Sequence, residues 1–174
     1  GLRWPDLSEA RGSIDPAQLA DSLPVAGGFS FLSWPASREQ HVPAAAATTA
    51  GVLDAARRGY ELVVVDIGRG TESIHAFAWD CDRIAVVVPA QLKAAVAAVR
   101  LLQEFPPVEA ALLVRGKTGA ALDGPLIAEA IGLPIQGRVP ELRGVSAAME
   151  SGRLLELGKR RGVRQFAASV LDLL

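Results

Sequence analysis

Three short apolar runs constrain this chain more than anything else in it: Leu62–Val65, Ile84–Val88 and Val108–Val114. Each is rich in β-branched or aliphatic side chains and too short for a buried helix. Near-continuous apolarity of this kind, broken only by Glu109 in the third run, marks strands covered on both faces of a parallel sheet. Between them the period changes. Leu92, Ala95, Val96 and Val99 recur at helical spacing after the second run, and a helix from about Asp123 to Ile131 follows the third. Strand alternating with helix predicts an α/β fold, with helices on both faces of a mostly parallel sheet.

The flanks fit the same scheme. Asp15-Pro16-Ala17-Gln18 is a helix start, with a carboxylate N-cap and Pro in the first turn, so a short helix should run to about Ser22. Phe29, Phe31 and Trp34 follow Gly27-Gly28 in a β-favouring stretch. Thr49, Val52, Leu53 and Ala56 recur at helical spacing from Pro43 to Arg58, and Gly59 is a stop signal. Pro134–Val139 forms a fourth, weaker strand. Two helical stretches, roughly 144–151 and 162–174, close the chain, which reads as one domain over 1–174.

Charge and cysteine usage exclude whole classes of function. With 18 basic and 19 acidic residues interspersed, no single-sign field invites nucleic acid. Cys81 is the only cysteine, which rules out an internal disulfide and suits the cytoplasm. No apolar run approaches a membrane span of about 18 residues, and the opening GLRWPDLSEARG has no signal-peptide pattern. Gly1 in place of Met reads as a piece of a longer protein. The terminal stripe of Val163, Phe166, Val170 and Leu171, with Arg160, Arg161 and Arg164 nearby, reads as a helix docked on a sheet, so membrane association is at most peripheral.

Asp66 is the sharpest chemical feature, because it stands where an apolar strand delivers its C-terminal end, the ligand-binding edge of open α/β sheets. A carboxylate there can hold a Mg²⁺-bound water beside nucleotide phosphates. It can equally do no more than cap the turn through Ile67 and Gly68. Gly116-Lys117-Thr118 ends like a phosphate loop, yet the required first Gly, five residues before Gly116, is Ala111 inside the apolar run. Metal or nucleophile chemistry has no support elsewhere: His41 and His75 lack partners at ligand spacing, and Asp80-Cys81-Asp82 reads as a turn.

Taken in order, these segments resemble the MinD/ParA family of deviant-Walker P-loop ATPases, and within it the septum-site-determining and CpaE-like branch. The segment from Leu53 to Asp66, LDAARRGYELVVVD, looks like the family's helix running into the strand with the Mg²⁺-side aspartate. The segment from Cys81 to Ala90, CDRIAVVVPA, is similar to its next strand, with Val99-Arg100-Leu101-Leu102 in the helix behind it. Ile135–Leu142 resembles the strand and loop that pass the adenine, Ala147–Gly152 the helix after it, and Gly1–Ser22 the region downstream of the phosphate loop.

The resemblance implies a three-layer P-loop NTPase-like fold that is incomplete, because the lysine-bearing Walker loop would lie upstream of Gly1. It carries nucleotide-binding roles to Asp66, Gly68, Arg115, Pro140 and Glu141, with Asp66 on the Mg²⁺ side. ATP and Mg²⁺ belong to the longer protein on this reading, and catalysis is assigned to no residue here. Two departures stand out: Asp66-Ile67-Gly68 where relatives have Asp-Thr/Ser-Pro, and Val114-Arg115 where an Asn-Arg pair reads adenine. The implied function is regulatory placement of the division septum through protein partners and a possible homodimer. An ATP-driven switch and a CpaE/TadZ-like pilus-localisation factor are the alternatives. The family's strand leading to the phosphate loop lies between the Asp66 and Ile84 strands, so these two should either pair directly or be bridged by another copy.

Overall fold

The computed structural model describes residues 1–8, 12–35, 45–68, 70–116 and 124–172. They fall into two compact units, Gly1–Asp80 and Cys81–Leu174.

In the first unit, α1 (Pro16–Ser22) begins as its sequence predicts: Asp15 is the N-cap and accepts a hydrogen bond from the Gln18 amide at 2.9 Å. That bond satisfies one of the amides a helix start leaves unpaired. Asp15→Ala should therefore cost about 1 kcal/mol of unfolding free energy, measured by urea titration, with Asp15→Asn close to wild type. α2 (Ala46–Gly59) buries Thr49, Val52 and Leu53, as its spacing suggests, and Ala55 instead of Ala56, which is half-buried. Pro43, where that helix was expected to begin, lies outside the described residues. α3 (Thr71–Phe77) was not anticipated, because its seven residues are too few to show a period.

The core of this unit is aromatic. Trp4, in a short 3₁₀ turn (Trp4–Leu7), stacks on Trp34 at 6.0 Å and meets Phe77 edge-on at 5.8 Å. Leu7, Leu19, Val52 and Ala55 complete the cluster. The strand expected over Phe29–Trp34 is reduced to a two-residue hairpin, β1 (Val25–Ala26) with antiparallel β2 (Phe29–Ser30). Gly27 and Gly28 both have positive φ, 61° and 89°, which is the backbone that a two-residue primed turn demands. Beyond it the ladder stops at Pro24, which has no N–H to return: the Phe31 amide donates to the Pro24 carbonyl at 3.0 Å, and the Arg3 guanidinium sits 5.5 Å from the Phe31 ring centroid.

The run Leu62–Val65 departs most from expectation. It is not a doubly covered strand, and among the described residues it joins no sheet. Its exposure alternates: Val63, Val65 and Ile67 are half-buried while Val64 is 83 % exposed. An extended segment becomes a strand only when a neighbour supplies ladder partners.

The second unit holds the parallel sheet, in the order β3 (Arg83–Pro89), β4 (Glu109–Arg115), β5 (Ile135–Val139). Crossover helices α4 (Leu92–Leu102) and α5 (Gly124–Ile131) join successive strands and contact each other. β4 lies in the middle, so Ala111, Leu112, Leu113 and Val114 are all buried, as an apolar run covered on both faces requires. β3 is an edge strand and alternates instead, burying Ile84, Val86 and Val88 and exposing Ala85 and Val87. Three helices follow: α6 (Val145–Glu150), α7 (Leu154–Gly158) and α8 (Arg161–Leu171).

α8 docks on β5, as its stripe suggested. Gln136 donates through Nε2 to the Ser169 carbonyl at 2.9 Å, and Gly137 admits the helix: a Cβ there would lie 3.2 Å from Ser169 Oγ and 3.5 Å from the Phe166 ring. No helix among the described residues is long and apolar enough to cross a membrane.

Candidate functional site

Parallel strands present their C-terminal ends along one edge, and register decides which residues meet there. Pro89 of β3 is the register partner of Arg115 of β4, and Arg115 is the partner of Val139 of β5. Pro140 and Glu141 follow immediately. Three of the five positions carried over from the resemblance, Arg115, Pro140 and Glu141, therefore sit at one sheet edge, with Pro89 as an additional neighbour. The β3–α4 loop is tied to this edge, since the Ala90 amide donates to the Arg115 carbonyl at 2.9 Å. Arg115 and Glu141 are exposed and Pro140 is half-buried.

Asp66 and Gly68 belong to the first unit. Asp66 is exposed, and its Oδ1 accepts the Gly68 amide at 3.1 Å, closing an Asx turn in which Gly68 takes a φ of 70°. That is the turn-capping reading of Asp66 made concrete. It explains why Gly follows two residues after the carboxylate: a side chain at that φ would be strained. Mg²⁺ bound by protein usually draws on one or two carboxylates and substrate phosphates. Here one carboxylate already has an oxygen engaged, and no cluster of three acidic, His or Cys side chains exists among the described residues. The Gly68 bond takes up Oδ1 alone, so the Asp66 carboxylate could supply a single Mg²⁺ ligand through its other oxygen, the remainder having to come from phosphates and water.

Ala111, at the position a phosphate loop would need for its first Gly, is buried within β4 and paired with Ala85. Gly116 takes a φ of 94° just past the strand; Lys117 and Thr118 lie outside the described residues, as do His41 and Arg69. His75 is in the last turn of α3 and Cys81 is half-buried before β3.

Helices packed on a parallel sheet, with loops gathered at the C-terminal ends of its strands, place the second unit in the α/β class of architecture. Within it the chain has a ParA-type fold. It superposes on a ParA family ATPase from Chlorobium tepidum TLS with a TM-score of 0.79 at 17% identity, covering 95% of this chain and 72% of that one. In sequence it is similar to two uncharacterized proteins of Mycobacterium tuberculosis, from strains CDC 1551/Oshkosh and H37Rv, each 29% identical over 177 residues. The match takes in all of this chain and 49% of each relative, so the chain spans about half the length of those proteins. No family model matches.

Proposed function

We propose that this chain is a MinD-like regulatory module of septum placement, cytoplasmic in its working location, which acts by meeting protein partners and not by turning over nucleotide. The observation that carries the reading is a mismatch. A ParA-type fold extends over 95% of the chain, yet no stretch of its 174 residues reads Gly-x₄-Gly-Lys-Ser/Thr. Affinity for a triphosphate depends on a backbone cradle and lysine of that kind. Without them, Arg115, Pro140 and Glu141 can flank a base but have nothing to grip its phosphates.

The competing reading is an ATP-driven switch, in which Asp66 positions a Mg²⁺-bound water and the sheet edge receives the adenine. Nucleotide binding and turnover with and without Mg²⁺ separate the two. The 174-residue chain should show no saturable ATP binding in the millimolar range and no turnover above buffer, and Asp66→Ala should change neither. Mg²⁺-dependent hydrolysis abolished by Asp66→Ala would establish the switch instead. The cellular arm is overproduction of the longer protein: misplaced or missing septa and filamentous cells support the septum role. Normal division with lost polar pili supports the CpaE/TadZ-like alternative.

A further inference from the structure

The corner between α6 and α7 exposes apolar surface where a helical pair ordinarily hides it. α6 buries none of its residues and α7 only Leu157. Met149 is 62% exposed, Leu154 47% and Leu155 46%, all within seven residues of chain. Scattered apolar side chains need no explanation, but large ones gathered at one corner do.

The corner is also rigid. α6 ends in a Schellman motif: Gly152 has a φ of 66°, the Arg153 amide donates to the Ala148 carbonyl at 2.7 Å, and the Gly152 amide donates to the Met149 carbonyl at 3.2 Å. Ser151 adds a hydroxyl bond to the Ala147 carbonyl at 2.6 Å, and Arg153 Nε donates to Ser151 Oγ at 3.1 Å. The apolar side chains are thus presented on a fixed backbone, so a partner meets them without paying to order the turn.

Charge says what that partner is. From Arg143 to Arg164 there are six basic side chains against two acidic ones, in a chain whose net charge is -1. All six are exposed. We propose that the α6–α7 corner is a docking site for a short amphipathic helix of another protein, apolar on one side and acidic on its flanks. Met149, Leu154 and Leu155 take the apolar side, and Arg153 and Lys159 take the carboxylates. Met and Arg are enriched in interfaces of this kind. A second copy fits poorly, because a two-fold contact would set one basic corner against another. An anionic membrane fits less well too, because helices of six and five residues offer no long face to lie in a bilayer surface.

The test uses the whole chain and a fluorescein-labelled synthetic helix of about 15 residues with Leu on one face and Glu on the others. The comparison ligands are the same peptide with Lys for Glu, and vesicles of phosphatidylglycerol and phosphatidylcholine. Anisotropy should show binding of the Glu peptide alone, weakened at least about tenfold by Met149→Asp with Leu155→Asp. Arg153→Glu with Lys159→Glu should weaken it to a similar degree, and so should raising the salt to about 0.3 M. Circular dichroism melts of both variants should match wild type, since every substituted side chain is exposed; if the apolar variant unfolds, the charge-reversal pair decides alone. The proposal fails if the Glu peptide does not bind, if the Lys peptide binds as well, or if the variants bind unchanged. It fails equally if vesicles bind and the peptide does not, or if the corner proves to mediate concentration-dependent dimerisation. None of these outcomes depends on ATP turnover or septum placement, so this proposal and the functional reading can fail separately.

Discussion

Leu112→Ala is expected to be the most damaging single truncation in the second unit, lowering unfolding free energy by about 3–5 kcal/mol. Leu112 is 0% exposed in the middle of the central strand, paired with Val86 on one side and Ile135 on the other. Its amide donates to the Pro134 carbonyl at 2.8 Å, just where the β4–β5 register shifts, so the backbone has little freedom to collapse into the space left behind. Truncation removes the transfer energy of the lost methyl groups and leaves a cavity as well. In a chain of this length the midpoint of thermal unfolding should fall by roughly 10 °C. Leu112→Ile should cost about 1 kcal/mol or a little more, because volume is kept and only shape changes. A loss below about 1 kcal/mol for the alanine variant would show that this strand is not the centre of a packed sheet.

Trp4→Ala should do comparable harm to the first unit, again about 3–5 kcal/mol. Trp4 is 9% exposed and touches two other aromatic rings. Stacked and edge-on ring pairs add about 0.5–1.5 kcal/mol each beyond the area they bury. Its backbone is held as well, the Trp4 amide donating to the Ser33 carbonyl at 3.3 Å. The measurement is urea unfolding followed by tryptophan fluorescence and near-ultraviolet circular dichroism. The variant should lose most of the aromatic signal at native conditions, whereas Trp4→Phe should retain it and lose about half as much stability or less. If both variants unfold like wild type, the aromatic cluster contributes no net stability.

Much of this was legible in the residues. The Ile84 and Val108 runs, the helices behind them, the Asp15 cap and the docked C-terminal stripe are all local signals, written within a dozen residues of each other. Two of the strand ends at the sheet edge were legible too, because the apolar runs stop at Val88 and Val114, one residue short of Pro89 and Arg115. The site was harder to read. Asp66 carried two readings of equal chemical sense, and a single distance, 3.1 Å to the Gly68 amide, shows the turn-capping one in place. Met149, Leu154 and Leu155 gave no signal at all, since an exposed apolar side chain and a buried one look identical in a sequence.

Local spacing and capping chemistry, then, determined the start of α1, the strands β3 and β4 and the helices behind them. Only the tertiary structure decided that Leu62–Val65 stays extended without a ladder while Ala111–Val114, no more apolar, becomes the fully buried centre of a sheet. The reason is that a strand's hydrogen bonds and both its covered faces come from elsewhere in the chain: β4 has β3 and β5 beside it, and residues 62–67 have no strand beside them among the described residues.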